Sequence, residues 1–383
     1  MRLVTNACTL HRDMSYCSLA FLDTPYHALE EGKMARKYRV GVLGLGHWYS
    51  GFGLARGLAE YPRADLVAVA DPEEWKAREF SQTFGVDMYT RYEDLIARDD
   101  IDIVHIAPPV VDIPDCTIQA AAAGKHMVLG KPMAMTVARA KEMVTAVEAS
   151  GVVCVPFQTS PMIRGDLKQR IESGIIGDII LMHNRSRWSI AEDWFHSGKA
   201  GWFVDPAKVP GGAFIDEGIY AVQQIIWLAN SKVVKVEAKT ANLVHKDIAV
   251  EDWGLATFTF ANGIIATMEA SWTINSPRKT GPSPKLNSNR RFEIVGTRGE
   301  IISDGLHVPE TAILAKDAPG WVFERQVGDM AAPAPAGLVP YVIDCIENKH
   351  KPAGTIADAY EAFVVAMACY DSAKKGEPVT PVF

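Results

Sequence analysis

Three side chains of this chain could together manage a proton while a hydride leaves carbon: Lys131, Asp216 and Tyr220. Lys131 lies between Gly130 and Pro132, directly after the apolar run His126–Leu129. Proline fixes the backbone that follows and biases Lys131 toward an extended conformation, so its amine is held and points toward a crevice. The plainer alternative is a surface lysine at a strand end. Asp216 and Tyr220 fall in the stretch Pro-Gly-Gly-Ala-Phe-Ile-Asp-Glu-Gly-Ile-Tyr, residues 210 to 220. Two glycines allow a close backbone approach, and a helix then begins and runs to about Leu228. A spacing of four places the carboxylate and the phenol on one helix face, and Gly218 between them leaves that face open on one side. Alone, a core tyrosine with a capping acid is the better reading; beside a fixed lysine, proton handling becomes the better one. A phenol titrates near pH 10, so it needs help near neutrality, and a close Lys131 ammonium lowers its pKa.

A hydride needs an acceptor. Tyr38 to Gly46 reads Tyr-Arg-Val-Gly-Val-Leu-Gly-Leu-Gly, a buried parallel strand that stops in glycines before a helix. Gly44 and Gly46 supply the tight turn and bare backbone that a pyrophosphate requires at a helix N-terminus. Tyr49 stands where the third small residue of the fingerprint belongs, which enlarges the loop and lays His47 and Trp48 over the cofactor. A second buried strand, Asp65–Ala70, ends in Asp71, placed to accept hydrogen bonds from the adenosine ribose. That carboxylate favours NAD, because it repels a 2′-phosphate and no arginine immediately follows it to offset this. The competing reading makes Asp71 a helix cap, since Asp71-Pro72-Glu73-Glu74 is also a good helix start.

The surrounding pattern must position these groups. From Tyr38 to Pro156 strands alternate with helices: Glu74–Phe84, Tyr92–Ala97, Asp115–Ala123 and Thr136–Ser150 separate strands at Met88, Ile101–Ala107, His126–Leu129 and Val152–Pro156. This predicts an α/β Rossmann domain, a doubly wound parallel sheet over residues 37–157. Ligands bind such sheets at the carboxyl ends of the strands, so the Gly44 turn, Asp71, Pro108, Gly130, Lys131 and Gln158 should ring one crevice. After Gln158 the alternation changes to period two, over Asp178–Arg187, Val233–Ala241, Leu255–Phe260, Ile264–Trp272 and Arg291–Val295. Residues 158–383 should therefore form an α+β domain with a large, mainly antiparallel open sheet that binds substrate. The stretches Asn275–Arg290 and Gly328–Pro340 read as loops, and helices Tyr341–Asn348 and Ile356–Lys375 close the chain. Trp188, Trp194, Phe195, Trp202 and Phe203 crowd the segment before residue 210; aromatic faces suit pyranose rings, with Trp202 a substrate contact, or else form a seam between domains. His196 is a spare acid or base.

Composition sets the outer bounds. The chain is 48% hydrophobic with a formal net charge of -7, and no basic stripe suits nucleic acid or an anionic membrane. Six scattered cysteines lack metal-ligand or redox spacing, which implies no metal, reduced thiols and a cytoplasmic protein. Residues 1–36 lack hydrophobic periodicity and read as a dispensable leader or an arm packing on a neighbouring subunit.

Taken together, Gly44-Leu45-Gly46, Leu66–Asp71, Ala123–His126, Lys131-Pro132-Met133, Gly211-Gly212-Ala213 with Asp216 and Gly218, Glu251-Asp252 and Gly296–Gly299 resemble the Gfo/Idh/MocA oxidoreductases from Tyr38 to Phe383. The resemblance implies that Lys131 contacts substrate and nicotinamide and that Asp216 orients substrate. It also places Tyr220 where most members carry the histidine that exchanges the proton. Gly130 departs from the family's glutamate, and Tyr220 from that histidine. The implied activity is NAD-dependent oxidation of a ring secondary alcohol of a sugar, glycoside or cyclitol, the aromatic segment tilting it toward a glycoside oxidised at C3. NAD-assisted lyase or glycosidase chemistry, and a non-catalytic sensor of cofactor or sugar, are the alternatives. The resemblance further implies a homo-oligomer, dimer or tetramer, built by stacking open sheets.

Overall fold

The computed structural model describes residues 36–190, 201–274, 288–304, 311–315, 318–324 and 335–383. Trp194, Phe195 and His196 lie outside the described residues, as do positions 1–35.

The first sheet is parallel throughout. Its strands are β1 (Tyr38–Leu43), β2 (Ala64–Ala70), β3 (Asp87–Tyr89), β4 (Ile103–Ile106), β5 (His126–Leu129) and β6 (Cys154–Pro156), in the order β3-β2-β1-β4-β5-β6. The sheet order reverses at β1, and the crevice above β1 and β4 is the site where such sheets take ligands. Val40, Val42 and Leu43 of β1 and Ile103, Val104 and Ile106 of β4 are fully buried, as expected of strands covered on both faces. The covering helices are α1 (Trp48–Leu58), α2 (Glu74–Phe84), α3 (Tyr92–Ile96), α4 (Ile113–Ala122) and α5 (Val137–Ser150).

Two short helices, α6 (Ser160–Arg164) and α7 (Asp166–Glu172), lead to the second sheet. It contains β7 (Ile179–Trp188), β8 (Val233–Ala241), β9 (Trp253–Phe260), β10 (Ile265–Ser271), β11 (Ser288–Gly296), β12 (Glu300–Asp304), β13 (Thr311–Leu314) and β14 (Val322–Glu324). Their order is β14-β13-β12-β11-β7-β10-β9-β8, antiparallel except where β10 runs parallel to β7. Helix α8 (Ala213–Ala229) lies on one face, over Met182, Met268 and Phe258. Among the described residues no helix covers the opposite face. It carries the His183–Thr267 hydrogen bond, the two-pronged Arg187–Glu269 ion pair and the exposed Leu255 and Ile265.

Helix α9 (Pro335–Glu347) returns to the first sheet and packs on α1, while α10 (Ile356–Lys375) lies against β8, α8 and α5. The loop expected over Gly328–Pro340 is thus helical from Pro335. Pro340 sits inside the helix, where buried Leu338 and Val339 outweigh its missing N–H. Strands β12, β13 and β14 were not legible in the sequence, being three to five residues long. Strand β11 begins at Ser288, three residues before the expected boundary.

Candidate active site

The site starts from a lysine that the backbone cannot release. Gly130 ends β5, and its N–H donates to the Ile106 carbonyl at 2.8 Å. A Cβ on Gly130 would stand 2.5 Å from that same oxygen, so the glycine in place of the family's glutamate answers a close strand approach. Lys131 follows, joined to Pro132 by a cis peptide bond, with its side chain only 4% exposed.

Its partner comes from α8. Lys131 Nζ donates to the Asp216 carboxylate Oδ1 at 2.5 Å and to the Asp216 backbone carbonyl at 2.7 Å. The same ammonium lies 5.2 Å from the centroid of the Tyr220 ring. The rigid amine, the carboxylate and the phenol therefore meet, where the end of a parallel strand faces the helix of the second sheet. Burial is the largest single influence and pulls the Lys131 pKa down, but the Asp216 carboxylate together with Tyr220, Tyr49 and Glu217 outweighs it and leaves the ammonium well above its ordinary value. Tyr220 departs from the expectation. Lys131 does pull its pKa down, yet burial is the larger influence and raises the phenol above 10. Tyr220 is thus protonated through neutral pH.

Helix α8 is anchored from outside itself. The Glu251 carboxylate Oε1 accepts the N–H of Gly212 at 2.8 Å and of Phe214 at 3.1 Å, serving as a cap supplied by a distant part of the chain. Tyr370 Oη donates to the same Oε1 at 2.7 Å and accepts the Ile215 N–H at 3.1 Å. The two glycines are required by these contacts: a Cβ on Gly211 would be 2.1 Å from Tyr370 Oη, and on Gly212 2.0 Å from the Glu251 carbonyl. The neighbouring Asp252 carboxylate gathers the N–H groups of Leu243, Val244 and His245. Gly218 corrects the sequence reading, for it does not open the face toward Lys131. A Cβ there would meet Met268 at 2.8 Å, so the glycine seats α8 on β10.

The glycine turn lies across the crevice. Gly44 takes φ +83°, and its N–H donates to the Ala70 carbonyl at 2.8 Å. A Cβ on Gly44 would be 2.4 Å from Pro108 Cα, and one on Gly46 2.5 Å from Pro109 N, so Pro108 packs directly on the turn. Asp71, 3% exposed, accepts the Leu45 N–H at Oδ2 (2.7 Å) and the Glu73 N–H at Oδ1 (2.8 Å). It thus pins the turn and starts α2, with lone pairs left on each oxygen for a ribose hydroxyl. Burial raises its pKa against those two donors. A tight turn opening α1 beside a buried carboxylate is a donor set that fits a dinucleotide.

Several expected contacts fall elsewhere. Trp202 donates its indole N–H to the Gly46 carbonyl at 3.2 Å and stacks on Phe203 at 3.7 Å between ring centroids. It covers the dinucleotide turn, with His47 held edge-on to both rings. Burial, then the Lys131 charge, holds His47 well below its usual range and hence neutral. Trp48 packs edge-on against Phe52 within the α1–α9 core. Gln158, 1% exposed, donates to Gln223 and to the Ala359 carbonyl, both at 3.3 Å, and so ties β6 to α8 and α10. Two groups that the sequence reading did not place at the site act on Lys131 and Tyr220 together: Tyr49 and Glu217. The odd residue at the third fingerprint position was the available signal for Tyr49; Glu217 had none beyond adjacency to Asp216.

Residues 38–157 match the oxidoreductase family's NAD-binding Rossmann fold, and residues 166–302 match the GFO/IDH/MocA C-terminal domain. The chain belongs to this oxidoreductase family, and its first sheet is an NAD-binding Rossmann domain. It is 26% identical over 356 residues to scyllo-inositol 2-dehydrogenase (NAD(+)) of Bacillus subtilis, covering 90% of this chain and 97% of that one. It is 25% identical over 288 residues to myo-inositol 2-dehydrogenase of Thermotoga maritima, covering 74% of this chain and 79% of that one. In fold it is similar to levoglucosan dehydrogenase in complex with NADH, with a TM-score of 0.77 at 21% identity, covering 91% of this chain and all of that one.

Proposed function

We propose that the chain is an NAD-dependent dehydrogenase of a ring secondary alcohol in a sugar, glycoside or cyclitol. The observation that carries this reading is the buried Lys131–Asp216 pair beneath Tyr220, joining a Rossmann strand end to the helix of the second sheet. NAD, held at Gly44, Gly46, His47, Asp71, Pro108 and Gly130, supplies the hydride exchange. Asp216 fixes Lys131 and anchors substrate hydroxyls. In ketone reduction the neutral Tyr220 phenol donates its proton to the carbonyl oxygen, and Lys131 stabilises the phenolate left behind. Alcohol oxidation runs through that phenolate, so its rate should climb into the alkaline range. The aromatic pair Trp202–Phe203 lies over the cofactor turn, which weakens the case for a glycoside oxidised at C3 and leaves the ring polyol as the class. Buried, unbridged Cys116, Cys154, Cys345 and Cys369 support a cytoplasmic setting, and the face of the second sheet that no described helix covers supports pairing with another copy.

The test is a panel of free sugars, glycosides and inositols with NAD, followed by absorbance of reduced nicotinamide. Tyr220→Phe should slow single-turnover hydride transfer roughly 10²- to 10⁴-fold and flatten its rise with pH. A rate close to wild type removes Tyr220 from the mechanism. Product without net NADH would favour the lyase or glycosidase alternative, and cofactor binding with no turnover the sensor.

A further inference from the structure

Strand β11 sends a charged residue onto the covered face of the second sheet. Strand β11 pairs with β7 so that Ile294 faces Met182, Phe292 faces Asn184 and Arg290 faces Ser186. The period of two places Arg290 on the side of buried Phe292 and Ile294, toward α8. Arginine at an inward position is costly unless something meets it. The Arg290 guanidinium lies 4.4 Å from the centroid of the Trp188 ring, and its Nη2 is 4.0 Å from Glu217 Oε2. Its Nε is buried and finds no hydrogen-bond partner among the described residues. The side chain as a whole is 37% exposed, so a ligand can reach the fork. Glu217 follows Asp216 and acts on both Lys131 and Tyr220, which sets Arg290 beside the chemistry and not on a remote surface.

Resting on the dehydrogenase reading, we propose that Arg290, stacked on Trp188 and opposed by Glu217, grips the hydroxyls of an uncharged ring polyol on the side away from the reacting carbon. The guanidinium edge donates to one hydroxyl while the Glu217 carboxylate accepts from its neighbour, so the two read adjacent hydroxyls. Charge selects the class. Among the described residues Lys131 already faces Asp216 and Arg290 already faces Glu217, and cations matched in this way favour an uncharged ring over an anionic one.

The experiment titrates myo-inositol, methyl glucoside and glucuronate by calorimetry into the full chain saturated with NAD, for wild type, Arg290→Met and Arg290→Lys. Wild type should bind the uncharged polyols and not glucuronate. Arg290→Met should weaken polyol binding roughly 10- to 100-fold, the loss of a charge-assisted hydrogen bond, with NAD affinity unchanged. Arg290→Lys keeps the charge without the planar fork and should recover only part of the affinity. Unaltered polyol binding in Arg290→Met, a wild-type preference for glucuronate, or no wild-type binding of either polyol overturns the proposal. Polyol binding that depends on Arg290 without NADH formation would instead leave it standing and remove the dehydrogenase reading.

Discussion

Replacing Asp216 with Asn removes one charge from a buried pair while keeping its shape. Lys131 would then keep only uncharged acceptors, the backbone carbonyl of residue 216 at 2.7 Å and the new amide oxygen, with a side chain 4% exposed. Breaking a buried pair costs about 3–5 kcal/mol, and the surviving carbonyl places this case near the lower end. Against a typical domain stability of about 5–15 kcal/mol, that is a large loss. Its pH dependence follows from the causes acting on Lys131. In the wild type the folded pKa lies above the unfolded value of about 10.4, so the pair's contribution is complete below that pH and fades as pH rises through the folded pKa. In Asp216→Asn burial is left as the leading influence, and the folded pKa drops below the unfolded one. The deficit then shrinks as pH rises through that lowered pKa toward about 10.4. Urea unfolding at pH 7 and pH 9.5 measures this. The double variant Lys131→Met with Asp216→Asn removes the stranded charge and should regain most of the lost stability while staying inactive. A loss below about 1 kcal/mol at pH 7, or a double variant as unstable as the single, refutes the reasoning.

Other expectations concern the supports of this pair. Tyr370→Phe strips a donor from Glu251 and an acceptor from Ile215, at a cost of about 1–3 kcal/mol, and should lower kcat more than it raises the KM for NAD. Unchanged unfolding and kcat would show that α8 does not need this tie. Gly130→Ala should lose about 1–3 kcal/mol, since its Cβ meets a backbone oxygen that cannot move aside, and an unshifted urea midpoint counts against the close approach. Asp71 should make the protein bind NADH more tightly than NADPH by fluorescence titration, and the reverse order would contradict its role.

The lysine, the carboxylate and the phenol were legible because each is announced locally. Glycine and proline bracket Lys131, and a spacing of four joins Asp216 to Tyr220. What depends on distant packing was not legible. Gly218 serves Met268 and Gly130 serves Ile106, and neither neighbour is close in sequence. The sequence points to Lys131 as an influence on Tyr220 but does not measure burial, which decides the sign. Trp202 offered an aromatic face suited to sugars, whereas its N–H is taken by the Gly46 carbonyl. Arg290 emerges only from strand register, since in the sequence it lies at the edge of a polar loop. The parallel sheet was read almost strand for strand because buried runs ending in glycine or proline are long and separated by amphipathic helices.

The two glycines of the turn must stay bare because prolines press on them, whether or not a nucleotide is ever present. A descendant that had abandoned catalysis would therefore still display them, and the fingerprint records ancestry better than occupation. The ion pair under Tyr220 is different: an apolar pair of similar bulk would serve the scaffold as well or better. Among relatives of this chain, loss of the lysine and its carboxylate together, with the turn intact, should mark the lineages that have retired from chemistry.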